Sequence, residues 1–110
     1  MSRILVIADD DTVRAILANV LSSAQYEVRL ATDNESGLRT HRESPVDAVL
    51  TSDVPSHNPE NLKHCLEGFG RVPIGIIDDD YENGGFPVLR PPLRREEILR
   101  VVKRLRDSVP

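Results

Sequence analysis

Apolar residues follow two rhythms along this chain. Ile4-Leu5-Val6-Ile7, preceded by Arg3, is an unbroken run of strand length, as expected of a parallel strand covered on both faces. The run passes through Ala8 into Asp9-Asp10-Asp11. Val13, Ile16, Leu17, Val20 and Leu21 then recur at helical spacing, with Asp10 or Asp11 placed to cap the helix and Ser22-Ser23 near its end. Tyr26 to Ala31 predicts a second, shorter strand, and Thr32-Asp33-Asn34 a turn and cap before a helix through His41, inside which Gly37 carries a conformational cost. Pro45 breaks the chain before a third strand, Val46 to Thr51, which ends in Ser52-Asp53. Asn58 as cap and Pro59 at the first helical position announce a further helix with Leu62, Cys65, Leu66 and Phe69 on one face, and Gly68 and Gly70 mark its exit. Val72 to Ile77 predicts a fourth strand running into Asp78-Asp79-Asp80, and Pro87-Val88-Leu89 a brief fifth. The last helix, about Arg94 to Asp107, places Ile98, Val101, Val102 and Leu105 on one stripe.

Alternation of this kind calls for an α/β fold, a parallel sheet wrapped by helices and joined by right-handed crossovers. One helix is short or missing. Only Asp78 to Phe86 separates the fourth and fifth strands, and parallel neighbours normally need a dozen or more residues to cross over. The acids at the ends of the first, third and fourth strands fall where open α/β sheets form a crevice, at the carboxyl ends of the strands.

At 110 residues the chain fits one domain, 1–110. Hydrophobic residues at 39% and charged residues at 29% are ordinary for a globular protein, no apolar run reaches membrane-span length, and the N-terminus lacks the pattern of a secretion signal. Cys65 is the single cysteine, so no internal disulfide forms, and a reducing cytoplasm is the expected compartment. The net charge of −4 is unevenly spread: Val88 to Pro110 holds seven bases against three acids, the rest seven against fifteen. The simplest reading of the basic last helix is a solvated face.

The segments Ile4-Leu5-Val6-Ile7-Ala8-Asp9-Asp10-Asp11-Thr12-Val13-Arg14, Pro45-Val46-Asp47-Ala48-Val49-Leu50-Thr51 and Val88-Leu89-Arg90-Pro91-Pro92-Leu93 together resemble the receiver domains of bacterial two-component response regulators, over nearly the whole chain. The resemblance implies a flavodoxin-like, doubly wound five-stranded sheet of order 2-1-3-4-5. It also implies a chemistry: Mg²⁺ held by carboxylates draws a phosphoryl group onto an aspartate, a lysine neutralises the charge, and a Thr or Ser follows the switch.

Placed on that pattern, this chain departs from it at each component. Ala8 takes the place of the first carboxylate of the acid pair and Asp9 that of the second. Asp10 either substitutes as a metal ligand or turns to cap the first helix. Family spacing puts Ser52 at the phosphoacceptor position with Asp53 one residue late; Asp53 becomes the acceptor, and a metal ligand beside Asp9 and Asp10, if the strand end bulges by one residue. The first of these alternatives turns Asp53 outward. The proline after the acceptor is also displaced, to Pro55. Asp78 falls at the switching Thr or Ser and Arg90 at the lysine, where a structural ion pair between them is the expectation. Pro91 follows the bond that the family has in cis, and Pro87 stands where many receivers carry a sensing aromatic.

His41, His57 and His64 are scattered away from any zinc-ligand spacing, Cys65 reads as a small buried hydrophobe, and four separated aromatics make no base-stacking surface. The expectation is therefore a non-enzymatic receiver-like domain, a pseudo-receiver of the phosphorelay type. It would act by protein contact, with aspartyl phosphorylation weakened or lost, no catalytic residue, and no cofactor unless the acidic site binds Mg²⁺. Its partners would be a histidine kinase or an output domain, with a homodimer formed through the last helix and the 78–86 loop, and with neither membrane nor nucleic acid. The rivals are an active phosphoacceptor receiver using Asp53, with Mg²⁺ on Asp9 and Asp10, and a small-ligand or nucleic-acid module on the same fold.

Overall fold

A computed structural model describes residues 2–54, 64, 66–78 and 86–107. Five parallel strands, β1 (Arg3–Ile7), β2 (Glu27–Ala31), β3 (Ala48–Thr51), β4 (Ile74–Ile77) and β5 (Val88–Leu89), form one sheet in the order β2-β1-β3-β4-β5. The expected doubly wound order is thus present. Three helices are described: α1 (Asp11–Ser23), α2 (Asn34–Glu43) and α3 (Arg95–Asp107), together with a 3₁₀ turn at Glu67–Phe69. Among the described residues no helix is long and apolar enough to cross a membrane. The helix expected from Asn58 and Pro59, the position of Cys65, the displaced Pro55 and the segment 79–85 with its shortened crossover lie outside the described residues.

The two-residue period of the strands divides the core into two layers. Ile4, Val6, Ala48, Leu50, Ile77 and Leu89 pack with Leu17, Leu21, Ile98, Val101, Val102 and Leu105 of α1 and α3. Leu5, Ile7, Val49, Ile74 and Ile76 face the other way, onto Ala31, Val46, Leu66 and Phe69. Burial on both faces is why β1 could not alternate and had to read as a solid apolar run. Two strands start later than their apolar runs: β3 begins at Ala48 and β4 at Ile74, because Val46 and Val72 pack their side chains on the core before the ladder starts.

The second helix has almost no apolar residue, and it holds its place by close approach instead. A Cβ on Gly37 would lie 2.6 Å from Cδ1 and 3.0 Å from Cγ1 of the fully buried Ile7. The glycine that weakened the helix in sequence is what lets α2 lie against β1. His41 finishes the job: its Nδ1 accepts from the Val46 amide at 3.1 Å, and its ring packs on Phe69 with centroids 5.6 Å apart. Its partners make it a fixture of the fold.

Gly37→Ala should gain about 1 kcal/mol of helix propensity and lose about 2 kcal/mol to overpacking, a net destabilisation. In an Ile7→Val background, which removes the nearest atom, the same substitution should become neutral or stabilising. Urea unfolding of the four-member cycle should return a coupling of at least about 1 kcal/mol, and simple additivity would contradict the close-approach explanation.

Candidate functional site

The carboxyl ends of β1, β2 and β3 enclose a cavity of about 320 Å³ lined by Asp9, Thr32, Asp33, Ser52 and Asp53. Asp9, Ser52 and Asp53 are therefore brought together, and both residues competing for the acceptor place reach the same crevice. Asp10, Asp78, Arg90 and Pro91 are not part of the described lining.

Register separates the two competitors. Ile7 pairs with Thr51, and the Ser52 amide donates to the Ile7 carbonyl at 2.8 Å, so the ladder runs one residue past β3 and sets Ser52 beside Ala8. The chain then turns sharply, the Val54 amide donating to the Ser52 carbonyl at 3.0 Å and the Asp53 amide to the Thr51 hydroxyl at 3.1 Å. This turn throws the Asp53 side chain sideways. Its Oδ2 accepts from the backbone amide of Asn34, the first residue of α2, at 2.8 Å. Asp53 is half-buried, not turned outward as the Ser52 register suggested, because an unsatisfied helix-start amide lies within reach and attracts an anion.

Around that bond lies a closed polar network. The Asn34 side chain donates from Nδ2 to the Asp53 carbonyl at 2.9 Å and accepts through Oδ1 from the Thr51 hydroxyl at 2.7 Å. Asn34 is 5% exposed and Thr51 fully buried, so each bond replaces water that cannot enter. A second acid serves the same helix: Asp33, its cap, accepts from the Ser36 amide at 2.7 Å, and that backbone hydrogen bond holds its carboxyl below the ordinary aspartate value.

The first strand's acids are committed in a similar way. Asp10 caps α1, its Oδ1 accepting from the amides of Thr12 at 2.8 Å and Val13 at 3.1 Å, as the capping alternative expected. Asp11 pairs with Arg14, whose Nη1 also donates to the Ala8 carbonyl at 2.6 Å. The Arg14 side chain is only 18% exposed, so a fixed guanidinium stands at the place where Ala8 offers no carboxylate. Asp9 remains exposed at the mouth. Among the described residues no three of His, Cys, Asp or Glu converge as they would to hold a metal ion.

At the other strand ends, the Asp78 amide donates to the Leu89 carbonyl at 3.2 Å, closing the ladder, while Arg90 is exposed and lines a separate hollow with Val88, Pro92, Arg94 and Glu97. One expectation there needs correction. The cis peptide bond is Pro91–Pro92, one residue beyond the Arg90–Pro91 bond; both are X-Pro bonds, and the sequence does not distinguish them.

Sequence reasoning missed Asn34, Thr51 and Arg14. Asp33 advertised the helix start, but an asparagine after a cap carries no mark of burial, and the threonine ending β3 read as ordinary strand chemistry. Arg14 had one available signal, its spacing of three from Asp11 on a helix.

Asn34→Ala should cost about 2 kcal/mol, because it strands the buried Thr51 hydroxyl and the Asp53 carbonyl. Asp53→Asn keeps an acceptor for the Asn34 amide and gives up only the charge assistance, about 1 kcal/mol. Chemical denaturation of both variants checks the order, and a neutral Asn34→Ala would contradict the network.

No family model matches the chain and no curated protein matches it. Solved structures do. The chain superposes on the chemotaxis protein CheY4 of Vibrio cholerae with a TM-score of 0.80 at 20% identity, covering 96% of this chain and 98% of that one. The receiver domain of a sensor histidine kinase from Pseudomonas aeruginosa, solved with a magnesium ion coordinated in its active-site cleft, gives 0.78 at 23% identity over 97% and 98%. NtrX of Brucella abortus, solved in complex with ATP, gives 0.81 at 19% identity over 97% of this chain but 27% of its own. These neighbours are CheY-like response-regulator receivers, and with the strand order and the crevice they identify the fold of this chain as the receiver-domain fold.

Proposed function

We propose that the chain is a non-enzymatic, receiver-type module of two-component signalling that works by protein contact, with aspartyl phosphorylation weakened or lost. The observation that carries this reading is the use to which the crevice acids are put. Asp10 and Asp53 satisfy helix-start amides, Asp33 caps α2, and Ala8 supplies no ligand at all. Mg²⁺ demands near-octahedral oxygen coordination by groups free to approach it. Among the described residues no three acids converge on such a point, and Asp10 and Asp53 each commit one carboxylate oxygen to helix-start amides.

The rival reading keeps Asp53 as acceptor with Mg²⁺ on Asp9 and Asp10, and the magnesium-bound neighbour from P. aeruginosa gives it a specific basis. Incubation with acetyl phosphate and Mg²⁺ followed by intact-mass measurement separates the two. The proposal expects no added phosphoryl group; an adduct on the native chain that disappears in Asp53→Asn would establish the rival.

The partner would be a histidine kinase or an output domain, met in the cytoplasm. A homodimer would use the outward face of α3, where Arg95, Glu96, Arg100 and Lys103 are exposed, together with the 78–86 loop, most of which lies outside the described residues. Mixed charges of this kind suit an isologous contact, in which each patch meets its own copy. Sedimentation at rising concentration should show the dimer, and a monomer throughout would remove this part of the proposal.

A further inference from the structure

At the opposite end of the sheet from the crevice, two hollows meet. One, of about 430 Å³, is lined by Ser2, Val46, Asp47, Val72 and Pro73 with Arg71 and Arg106. The other, of about 390 Å³, shares Val72 and Pro73 and continues over Phe86, Pro87 and Leu105 to Arg104. They form one groove across the amino-terminal ends of the strands.

Three properties define what the groove can take. First, its floor offers little backbone for pairing. Pro73 and Pro87 have no N–H, their carbonyls already accept from Val49 at 3.0 Å and Ile76 at 2.9 Å, and the Val72 amide donates to Phe69. An incoming chain could not add as a β-strand here, so recognition must run through side chains, with apolar groups on the floor. Second, the rim is cationic: Arg71, Arg104 and Arg106 are all exposed. Third, the acids near the groove are outnumbered by its three arginines: Asp47 Oδ2 accepts from the Arg3 amide at 2.6 Å, and Asp107 lies 3.9 Å from Arg106.

The geometry points to a docking site for a short acidic peptide segment of a partner protein, its apolar side chains on Val46, Val72 and Pro73 and its carboxylates on the three arginines. Charge complementarity selects the acid, because planar guanidinium groups match carboxylates in two-point contact. The apolar floor selects a peptide over a nucleic acid, whose phosphates would gain nothing from it and whose bases find no row of aromatic rings among the described residues. Such a site shares only Phe86 and the last turn of α3 with the proposed dimer face, whose exposed residues Arg95, Glu96, Arg100 and Lys103 it does not use, and each hollow lies within the range of small recognition pockets.

The test is a titration of the ¹⁵N-labelled full chain with a synthetic peptide carrying two leucines flanked by glutamates, followed by amide chemical shifts. Shifts confined to residues 46–47, 71–72, 74 and 104–106, weakening with salt, would support the proposal. An Arg71→Glu, Arg106→Glu double variant with an otherwise native spectrum should bind the peptide at least about tenfold more weakly, because two ionic contacts are replaced by repulsion. Equal binding of a peptide with lysines in place of the glutamates would overturn it, as would shifts centred elsewhere or no binding at millimolar peptide. A single-stranded oligonucleotide that produces the same map when the acidic peptide does not would assign the groove to nucleic acid and likewise overturn it. None of these outcomes depends on whether Asp53 accepts phosphate.

Discussion

One hydrogen bond sets the character of this crevice: the Asn34 amide donating to the Asp53 carboxylate at 2.8 Å. The start of any helix leaves amides without partners, and a carboxylate nearby gains both a hydrogen bond and the favourable end of the helix dipole. Because α2 has so little apolar surface, its position depends on such contacts and on the glycine that admits it to β1. The Asp53 carboxylate is thereby tied to α2, and the buried Asn34 and Thr51 hold its backbone through the Asp53 carbonyl and amide.

The same economy recurs around the crevice. Asp10 belongs to α1 and Asp33 to α2, so helix starts consume the negative charge that strand ends collect. In an active metal site, carboxylates converge on a point and helix starts are served by something else. Here Asp10, Asp33 and Asp53 serve helix starts, and the Arg14 guanidinium is fastened to the Ala8 carbonyl.

Much of this architecture was legible in the sequence because the core is built by simple periodicity. A strand covered on both faces must be a solid apolar run, and a helix over one face must show a stripe, so the sheet and both flanking helices α1 and α3 announced themselves. The crevice was legible as a place, since acids gathered at the ends of β1, β3 and β4. Its internal geometry was not. Whether Asp53 points out, in or sideways depends on a turn at Ser52 and on the presence of an amide from an element nineteen residues earlier in the chain, and no local pattern encodes that meeting.

Whether these acids can still be gathered by a cation is best measured with Mn²⁺ as a paramagnetic substitute for Mg²⁺, following the broadening of backbone amides as the ion is added. The account predicts weak, diffuse broadening over the exposed acids, with the amides of Asp9 and Asp53 no more affected than that of Glu35. Selective loss of the signals of residues 8–10 and 52–54 at low Mn²⁺, reversed by competing Mg²⁺, would contradict it.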